Sequence, residues 1–218
     1  MDKLFCLDER LKKCASLVQE SARLVDVGTD HAYLPVWLLK SEKISFAIAS
    51  DINEKPLENG RLTAEKYEVN NIEFRLGSGL ETITAEDNIS DVVIAGMGGE
   101  VISAIIDESP LTRNKSLNLI LQPMTKSEQL ISFLYENGFE IKEQSCVISK
   151  GKIYTVMAVR YSGDTIKTDD AFPYLGKLDI KDETNLIFIR THIKHLENKS
   201  RGDSSLLPLV NKLKRVIE

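Results

Sequence analysis

Residues 26–32 (DVGTDHA) place a glycine, two carboxylates and an imidazole directly after an apolar run. Gly28 permits a tight turn and lets a ligand approach the backbone closely. A dinucleotide fingerprint needs three glycines around the pyrophosphate, but Asp30 and Ala32 stand where further glycines would be. A carboxylate at Asp30 repels phosphate and suits a cationic sulfonium ligand that carries an amino group. The segment therefore predicts an S-adenosylmethionine site, with a purely structural turn as the alternative.

The next two apolar runs also end in residues that suit a nucleoside. Asp51, followed by Ile52, ends the second run 25 residues after Asp26. An acid at this spacing accepts hydrogen bonds from ribose hydroxyls in Rossmann-like folds, and a helix-capping or surface aspartate is the alternative. The third run ends in a loop formed by Gly77, Ser78 and Gly79. The two glycines would let an adenine ring approach the backbone; alternatively, they only make the loop flexible.

Two later loops complete the candidate site. Residues 91–95 run into three glycines within four residues, which lower loop stability and so indicate a close ligand contact. Met97 could face a transferred methyl group or fill the core. Gln122 has donors and acceptors suited to a base edge, or it belongs to an ordinary capped loop. The two loops contribute these candidates: Ala95, Gly96, Met97 and Gly98 for the cofactor, and Gln122, Pro123 and Met124 for the substrate.

Composition limits the class of protein. The chain has 218 residues, 42% of them hydrophobic, and a net charge of -5, as expected for one α/β domain with an appendage. No apolar run reaches transmembrane length and no signal-peptide core precedes the first helix. Cys6, Cys14 and Cys146 lack metal-ligand spacing and predict packed thiols in a reducing compartment. We expect a cytoplasmic protein, without membrane or metal, that is a monomer or weak dimer.

Short apolar runs alternate with helical periodicity along most of the chain. This alternation predicts an α/β fold with a mostly parallel sheet covered on both faces, and an antiparallel edge hairpin that turns at residues 149–151. Ligands bind at the carboxyl ends of such strands. The predicted helices are 4–18, 33–41, 54–67, 100–107 and 127–136, and the predicted strands are 23–27, 44–50, 72–76, 91–95, 117–121, 139–148 and 153–160.

The composition changes after Tyr161. Residues 162–170 are polar and predict a linker, so we divide the chain into a domain at 1–163 and a tail at 164–218. The first carries 18 basic and 24 acidic residues, and the tail carries 10 and 9. Apolar residues at 186, 189, 193 and 196, and at 206, 209, 213 and 216, predict an antiparallel helical hairpin with a coiled-coil seam. His192 and His195 lie one turn apart, but a metal would need more ligands.

Several of these motifs resemble the bacterial tRNA (adenine-22-N1)-methyltransferase family. The resemblance spans nearly the whole chain, and the GTDHAYLP and AGMGGE runs are specific to that family. It implies a Rossmann-like class I methyltransferase fold with a C-terminal coiled-coil domain, S-adenosylmethionine as donor, and tRNA as substrate. The family usually has an acidic residue where this chain has Ser78. The motifs are 26–35 (DVGTDHAYLP), 95–100 (AGMGGE), 75–80 (RLGSGL), Asp51 and 121–124 (LQPM).

The resemblance suggests roles for charged residues. Methylation makes the adenine ring cationic, so a nearby carboxylate would stabilise it. Asp30 is the first candidate, with His31 orienting it or stacking on the base; alternatively, Asp30 only holds the cofactor. The target base must leave its stack, and these cations are candidates for phosphate contacts, or else solvated surface charges: Arg10, Lys12, Lys13, Lys194, Lys199 and Arg201.

Three other functions remain open on the residues alone. A methyltransferase of another RNA, a protein or a small molecule would use the same loops, with the tail as a dimerisation hairpin. A nicotinamide-dependent oxidoreductase is disfavoured by Asp30 and Ala32. A non-catalytic RNA-binding protein would not need the glycine loops together with Asp51.

Overall fold

A computed structural model describes residues 4–218. Strands and helices alternate through most of the chain, as predicted. The strands are β1 (Ala22–Val27), β2 (Ile44–Asp51), β3 (Ile72–Leu76), β4 (Asp91–Gly98), β5 (Asn118–Thr125), β6 (Phe139–Ser149) and β7 (Lys152–Tyr161). The helices are α1 (Glu9–Leu17), α2 (Tyr33–Lys40), α3 (Glu54–Lys66), α4 (Gly99–Glu108), α5 (Ser127–Glu136), α6 (Phe172–Leu175), α7 (Glu183–Ser200) and α8 (Leu207–Ile217).

Within residues 4–218, seven strands form one sheet in the order β3-β2-β1-β4-β5-β7-β6. The first five strands in this order are parallel, and β7 pairs antiparallel with both β5 and β6. The predicted parallel sheet with an antiparallel edge hairpin is confirmed. Lys150 and Gly151 join β6 to β7 with φ values of 51° and 75°, as a two-residue hairpin turn of the favoured twist requires. The strand order reverses between β1 and β4, which opens a crevice at their carboxyl ends.

The sheet is covered on both faces by apolar side chains. One core cluster joins the sheet to α4 and α5, and another joins it to α1 and α2. Asp91, fully buried at the start of β4, accepts hydrogen bonds from the Gln19 backbone N–H (3.0 Å), Gln19 Nε2 (2.8 Å) and Asn118 Nδ2 (2.8 Å). These bonds satisfy the buried carboxylate. These bonds fix the amino-terminal end of β4. The candidate site lies at the opposite end of the sheet, in the loops that follow the strands.

Several element boundaries differ from the prediction, and the structure gives the reason for two of them. The first helix begins at Glu9, not at residue 4, because the Asp8 carboxylate accepts a hydrogen bond from the Leu11 N–H (3.0 Å) as an N-cap. Strand β4 continues through its glycines to Gly98, since Met97 and Gly98 still pair with Pro123 and Thr125 of β5. A long-range partner therefore keeps a glycine-rich segment extended.

The C-terminal helices pack on each other and on the edge hairpin. Their apolar cluster includes Cys146 from β6 together with Ile189 and Leu213, and Asn185 Oδ1 accepts a hydrogen bond from the Cys146 N–H (2.8 Å). The predicted seam of α8 is confirmed at Leu209 and Leu213 but not at Leu206, which lies outside the cluster, and the cluster also includes Val210. Val216 is 39% exposed, whereas Ile217 packs into the cluster with residues of α7, because α8 packs on α7.

The prediction that all three cysteines are packed is confirmed for two of them. Cys14 and Cys146 are buried, as predicted, but Cys6 is exposed, so the prediction of a packed thiol at Cys6 is wrong. Cys6 lies before α1 in a segment without regular secondary structure, where a side chain can point outward.

In the part of the chain from residue 4 onward, no helix combines the length and apolar character needed to cross a membrane.

Candidate active site

The loop after β1 is held by its neighbouring strand. The N–H groups of Gly28 and Thr29 donate to the Ser50 carbonyl at 2.8 and 3.0 Å. Gly28 has a φ of 73°, and a Cβ at this position would lie 2.0 Å from Met97 Cε. The positive φ favours glycine, and the end of the Met97 side chain occupies the space that a Cβ would take. Met97 therefore lies directly over the loop, at the centre of the predicted cofactor site.

Asp26 and Thr29 are both buried beneath this loop. Burial raises the pKa of Asp26 to about 6, and the nearby Thr29 hydroxyl opposes that shift. Among residues 4–218 the buried Thr29 hydroxyl nevertheless has no partner with hydrogen-bond geometry. Buried polar atoms normally find partners, so this pair indicates a position where a polar ligand or ordered water is required.

Asp30 and His31 lie together at the mouth of the loop. The Asp30 side chain is 81% exposed, and His31 Nε2 lies 3.5 Å from Asp30 Oδ2. The His31 ring stacks on Tyr33, with 5.1 Å between centroids and 16° between planes. The predicted orientation of Asp30 by His31 thus has a geometric basis, and the exposed carboxylate is free to face a cation.

Asp51 ends β2 with one carboxylate oxygen available. Its Oδ1 accepts bonds from the N–H of Asn53 (2.8 Å) and from Asn53 Nδ2 (3.3 Å), while Oδ2 accepts none from the described part of the chain. Ile52 beside it is 67% exposed, an apolar surface on which a purine could pack. A carboxylate oxygen next to an exposed aliphatic side chain suits a ribose and its base.

The loop after β3 lies at the same edge of the sheet. The Gly77 N–H donates to the Asp51 carbonyl at 3.0 Å, which ties the two loops together. The Ser78 N–H donates to Glu81 Oε1 at 2.7 Å, and Gly79 has a φ of 53°. Although Ser78 replaces the acid usual in the resembling family, Glu81 brings a carboxylate to the same loop. Glu81 was missed because no short-range motif marks it.

Gln122 and Arg10 have structural contacts that the sequence did not reveal. Gln122 is fully buried, and its Oε1 accepts bonds from Arg10 Nη1 (2.7 Å) and the Gly96 N–H (3.2 Å). Its amide nitrogen donates to the Pro123 carbonyl at 2.9 Å. Gln122 has no free group for a base edge in this arrangement; instead it links Gly96, which has a φ of 85°, to α1.

Arg10, a candidate for a phosphate contact or else a solvated surface charge, is neither solvated nor free of internal partners. Its side chain is only 19% exposed and also pairs with Asp8 Oδ2 at 3.0 Å. Pro123 beside this network is buried, and Met124 is 38% exposed with its sulfur 3.6 Å from Arg10 Nη1. The largely buried guanidinium of Arg10 bonds to both Asp8 and Gln122 and so links α1 to the β4 and β5 loops.

The other predicted cations fall into two groups. Lys12 pairs with Glu9 (2.6 Å) and Lys13 with Glu143 (2.8 Å). In contrast, three exposed cations of α7 and its end have no ion pair within residues 4–218: Lys194, Lys199 and Arg201.

The third glycine of the β4 loop has a packing role. A Cβ at Gly99 would lie 2.2 Å from the Lys126 carbonyl oxygen, so this position keeps the start of α4 against the backbone before α5. His192 is half-buried: it packs edge-on against Phe188 and Tyr174, and burial lowers its pKa. In residues 4–218 no cluster of three metal-ligating side chains is found.

The residues at this edge of the sheet include donors and acceptors that could hold S-adenosylmethionine. Val27 pairs with Ser50 and Ile94, and Ala95 pairs with Gln122, so the loops that follow meet at one edge of the sheet. Asp30 can face the positively charged amino and sulfonium groups, and Asp51 can accept from ribose. The unpaired Thr29 hydroxyl offers a further polar contact.

Known proteins are similar to this chain in both sequence and fold. A methyltransferase-domain family matches residues 7–157. The tRNA (adenine(22)-N(1))-methyltransferase of Bacillus subtilis strain 168 is 30% identical over 202 residues, which cover 88% of this chain and 82% of that protein. A Streptococcus pneumoniae putative tRNA (m1A22) methyltransferase, solved in complex with S-adenosyl-L-methionine, superimposes with a TM-score of 0.87 at 29% identity over 98% of this chain and 100% of that chain.

The structure of the B. subtilis m1A22 tRNA methyltransferase has a TM-score of 0.86 at 27% identity, covering 99% of this chain and 100% of that chain. These similarities extend over the loops of the candidate site and the C-terminal helices alike. The resemblance inferred from the motifs is thereby confirmed, and the chain belongs to the methyltransferase-domain family and, within it, to the family of bacterial tRNA (adenine(22)-N(1))-methyltransferases.

Proposed function

We propose that this protein transfers a methyl group from S-adenosylmethionine to ring nitrogen 1 of adenosine 22 in tRNA. The observation that carries this proposal is the similarity to the B. subtilis enzyme, which extends over 88% of the chain. The donor site is consistent with it, because the loops with Asp30, Asp51 and Gly96 lie at the carboxyl ends of adjacent strands.

The cofactor supplies a methyl group activated by its sulfonium charge, and the protein supplies position and electrostatics. We assign cofactor contacts to the β1 loop (Asp26, Gly28, Thr29, Asp30 and His31), the β2 and β3 ends (Asp51, Ile52, Gly77, Ser78 and Gly79) and the β4 end (Ala95, Gly96, Met97 and Gly98). Asp30 stabilises the positive charge that develops on the adenine, and His31 orients Asp30. Arg10 and Gln122 position Gly96, while Pro123 and Met124 border the path of the base.

The tail, residues 164–218, serves in this proposal as a tRNA-positioning domain attached to the catalytic domain, residues 1–163. Lys194, Lys199 and Arg201 are free to contact phosphates, whereas Lys12 and Lys13 would first have to leave their carboxylate partners. Because tRNA is the substrate, we place the reaction in the cytoplasm. We propose a monomer or weak dimer, which light scattering coupled to size-exclusion chromatography can check.

Radiolabelled S-adenosylmethionine and an unmodified tRNA transcript test this function directly. Label should enter the transcript, and replacing adenosine 22 with guanosine should abolish incorporation while leaving tRNA binding intact. Nuclease digestion and mass spectrometry should locate the methyl group on one adenosine. Equal labelling of both transcripts would reject the assigned position, and label in another class of acceptor alone would reject the substrate.

A further inference from the structure

A groove of about 710 Å³ opens beside the loop that follows β1. Its walls are the segment before α1, the start of α2, one face of α3 and the turn between β6 and β7, and residues of each line it: Cys6, Tyr33, Leu62, Lys66 and Lys150. Ligand pockets of roughly 300–1,000 Å³ hold small molecules. The groove therefore has room for a nucleotide in addition to the donor site.

Aromatic rings line the groove. The Phe5 ring lies 5.2 Å from Tyr33 and 4.9 Å from Tyr67, centroid to centroid, and His31 stacks on Tyr33. Tyr33 is nonetheless 45% exposed, and Leu62 opposite it on α3 is 64% exposed. Exposed rings held in place by neighbouring rings are the surfaces on which unstacked bases of RNA pack.

The charge of the groove suits a phosphate backbone. Lys66 and Lys150 are exposed and form no ion pair within residues 4–218. The carboxylate of Asp8, which also lines the groove, is already paired with Arg10 at 3.0 Å. Two cations without an ion pair, one of them over the Tyr67 ring at 5.4 Å from its centroid, form together with the aromatic surface the combination that binds single-stranded nucleic acid.

Two contacts connect the groove to the methyl-transfer site. His31 belongs both to the groove and to the β1 loop. Asp8 pairs with Arg10, which holds Gln122 and, through it, Gly96. We propose that this groove binds an unstacked nucleotide of the tRNA that flanks the methylated adenosine, with its base on Tyr33 and its phosphates at Lys66 and Lys150. This inference rests on the proposed function.

Single substitutions measure the contribution of the groove to tRNA binding. Tyr33→Leu should raise the tRNA Kd about tenfold, because a base loses its stacking surface. Lys66→Gln and Lys150→Gln should each lower the slope of log Kd against log salt by about 0.7 to 0.9, the loss of one phosphate contact. The Kd for S-adenosylmethionine, measured by calorimetry, should stay unchanged in the lysine variants. Lys40→Gln is the matched control, since Lys40 is an exposed lysine at the other end of α2.

Cys6 provides a probe that does not depend on a substitution. It lines the groove and is exposed, while Cys14 and Cys146 are buried. A tRNA transcript at about ten times its Kd should slow alkylation of Cys6 by N-ethylmaleimide about tenfold, because only the free protein reacts. Peptide mass spectrometry follows the modification.

The outcomes separate the two proposals. If the wild-type protein methylates the transcript but Tyr33→Leu, Lys66→Gln and Lys150→Gln bind it normally, or tRNA leaves Cys6 fully reactive, the groove assignment fails and the proposed function stands. If the wild-type protein neither binds nor methylates tRNA, both proposals fail.

Discussion

Asp26 and Asp30 lie four positions apart but in opposite electrostatic surroundings. Asp26 is 8% exposed and its pKa is raised by burial, whereas the Asp30 carboxylate is largely in solvent and lies 3.5 Å from the His31 imidazole. The sequence grouped them in one motif. Their environments place Asp26 in the interior of the cofactor loop and Asp30 at its mouth, where we propose that charge develops on the substrate.

Asp30→Ala should lower the single-turnover rate at saturating S-adenosylmethionine by about 100-fold, as loss of a preorganised electrostatic contact does. Asp30→Asn keeps the shape without the charge and should show a similar loss. Rapid quench with a tRNA transcript measures the rate, and calorimetry measures cofactor affinity. A normal rate combined with weakened affinity would mean that Asp30 only holds the cofactor.

Asp26 makes the stability of the ligand-free protein depend on pH. Because its pKa rises from 3.8 to about 6 on folding, the folded state binds more protons than the unfolded state between these values, and stability falls as pH rises through them. At about 1.4 kcal/mol per pKa unit, the cost of ionised Asp26 is at most about 3 kcal/mol.

Asp26→Asn should remove this part of the pH dependence. Relative to the wild type, the variant should gain unfolding free energy as pH rises from about 4 to about 8, across the two pKa values, even if the neutral amide changes stability by a constant amount. Urea denaturation of both ligand-free proteins across this range measures the difference. Parallel stability curves would contradict the shifted pKa.

At the scale of elements, the glycines at the β4–α4 junction are required for different structural reasons. Gly96 adopts a positive φ beside the site, whereas Gly99 allows α4 to approach the Lys126 carbonyl. The sequence pattern alone favoured ligand contact for all three glycines of this run. Gly99 shows that a close approach to the protein's own backbone can require glycine just as strictly as a ligand does.

Gly99→Ala should destabilise the fold by about 1–3 kcal/mol through overpacking, which for a chain of this size lowers Tm by roughly 2–4 °C per kcal/mol. Gly202→Ala is the control, since a Cβ at this position would lie 3.8 Å from its nearest neighbour and the φ of Gly202 is not positive. Differential scanning calorimetry compares the two variants. Equal Tm values would show that α4 moves away at little cost.

For the whole molecule, the tail forms part of the structure and also presents unpaired charge. Its apolar cluster packs on Cys146 and Ile153 of the edge hairpin, so α7 is held near the sheet that carries the site. Lys212 and Lys214 pair with carboxylates of the linker and α7. Lys194, Lys199 and Arg201 have no such partner within residues 4–218 and are available to another molecule.

The triple variant Lys194→Gln, Lys199→Gln and Arg201→Gln should raise the KM for tRNA at least about tenfold at moderate salt and flatten its salt dependence, because released counterions scale with phosphate contacts. The kcat and the cofactor Kd should remain close to those of the wild type. Lys214→Gln, which removes a paired lysine of the same tail, is the control. An unchanged KM in the triple variant would exclude this face of the tail from tRNA binding.

Local signals in the sequence were enough to predict the parallel sheet, the edge hairpin and the loops at the carboxyl ends of the strands, because strand periodicity and glycine turns are each read over a few residues. They could not predict that Gln122 is saturated by Arg10 and Gly96, nor that Phe5, Tyr33 and Tyr67 share one groove. Those contacts join residues far apart in the chain. Many polar and aromatic partners are possible for each of them, and the packing of the folded chain selects the ones that meet.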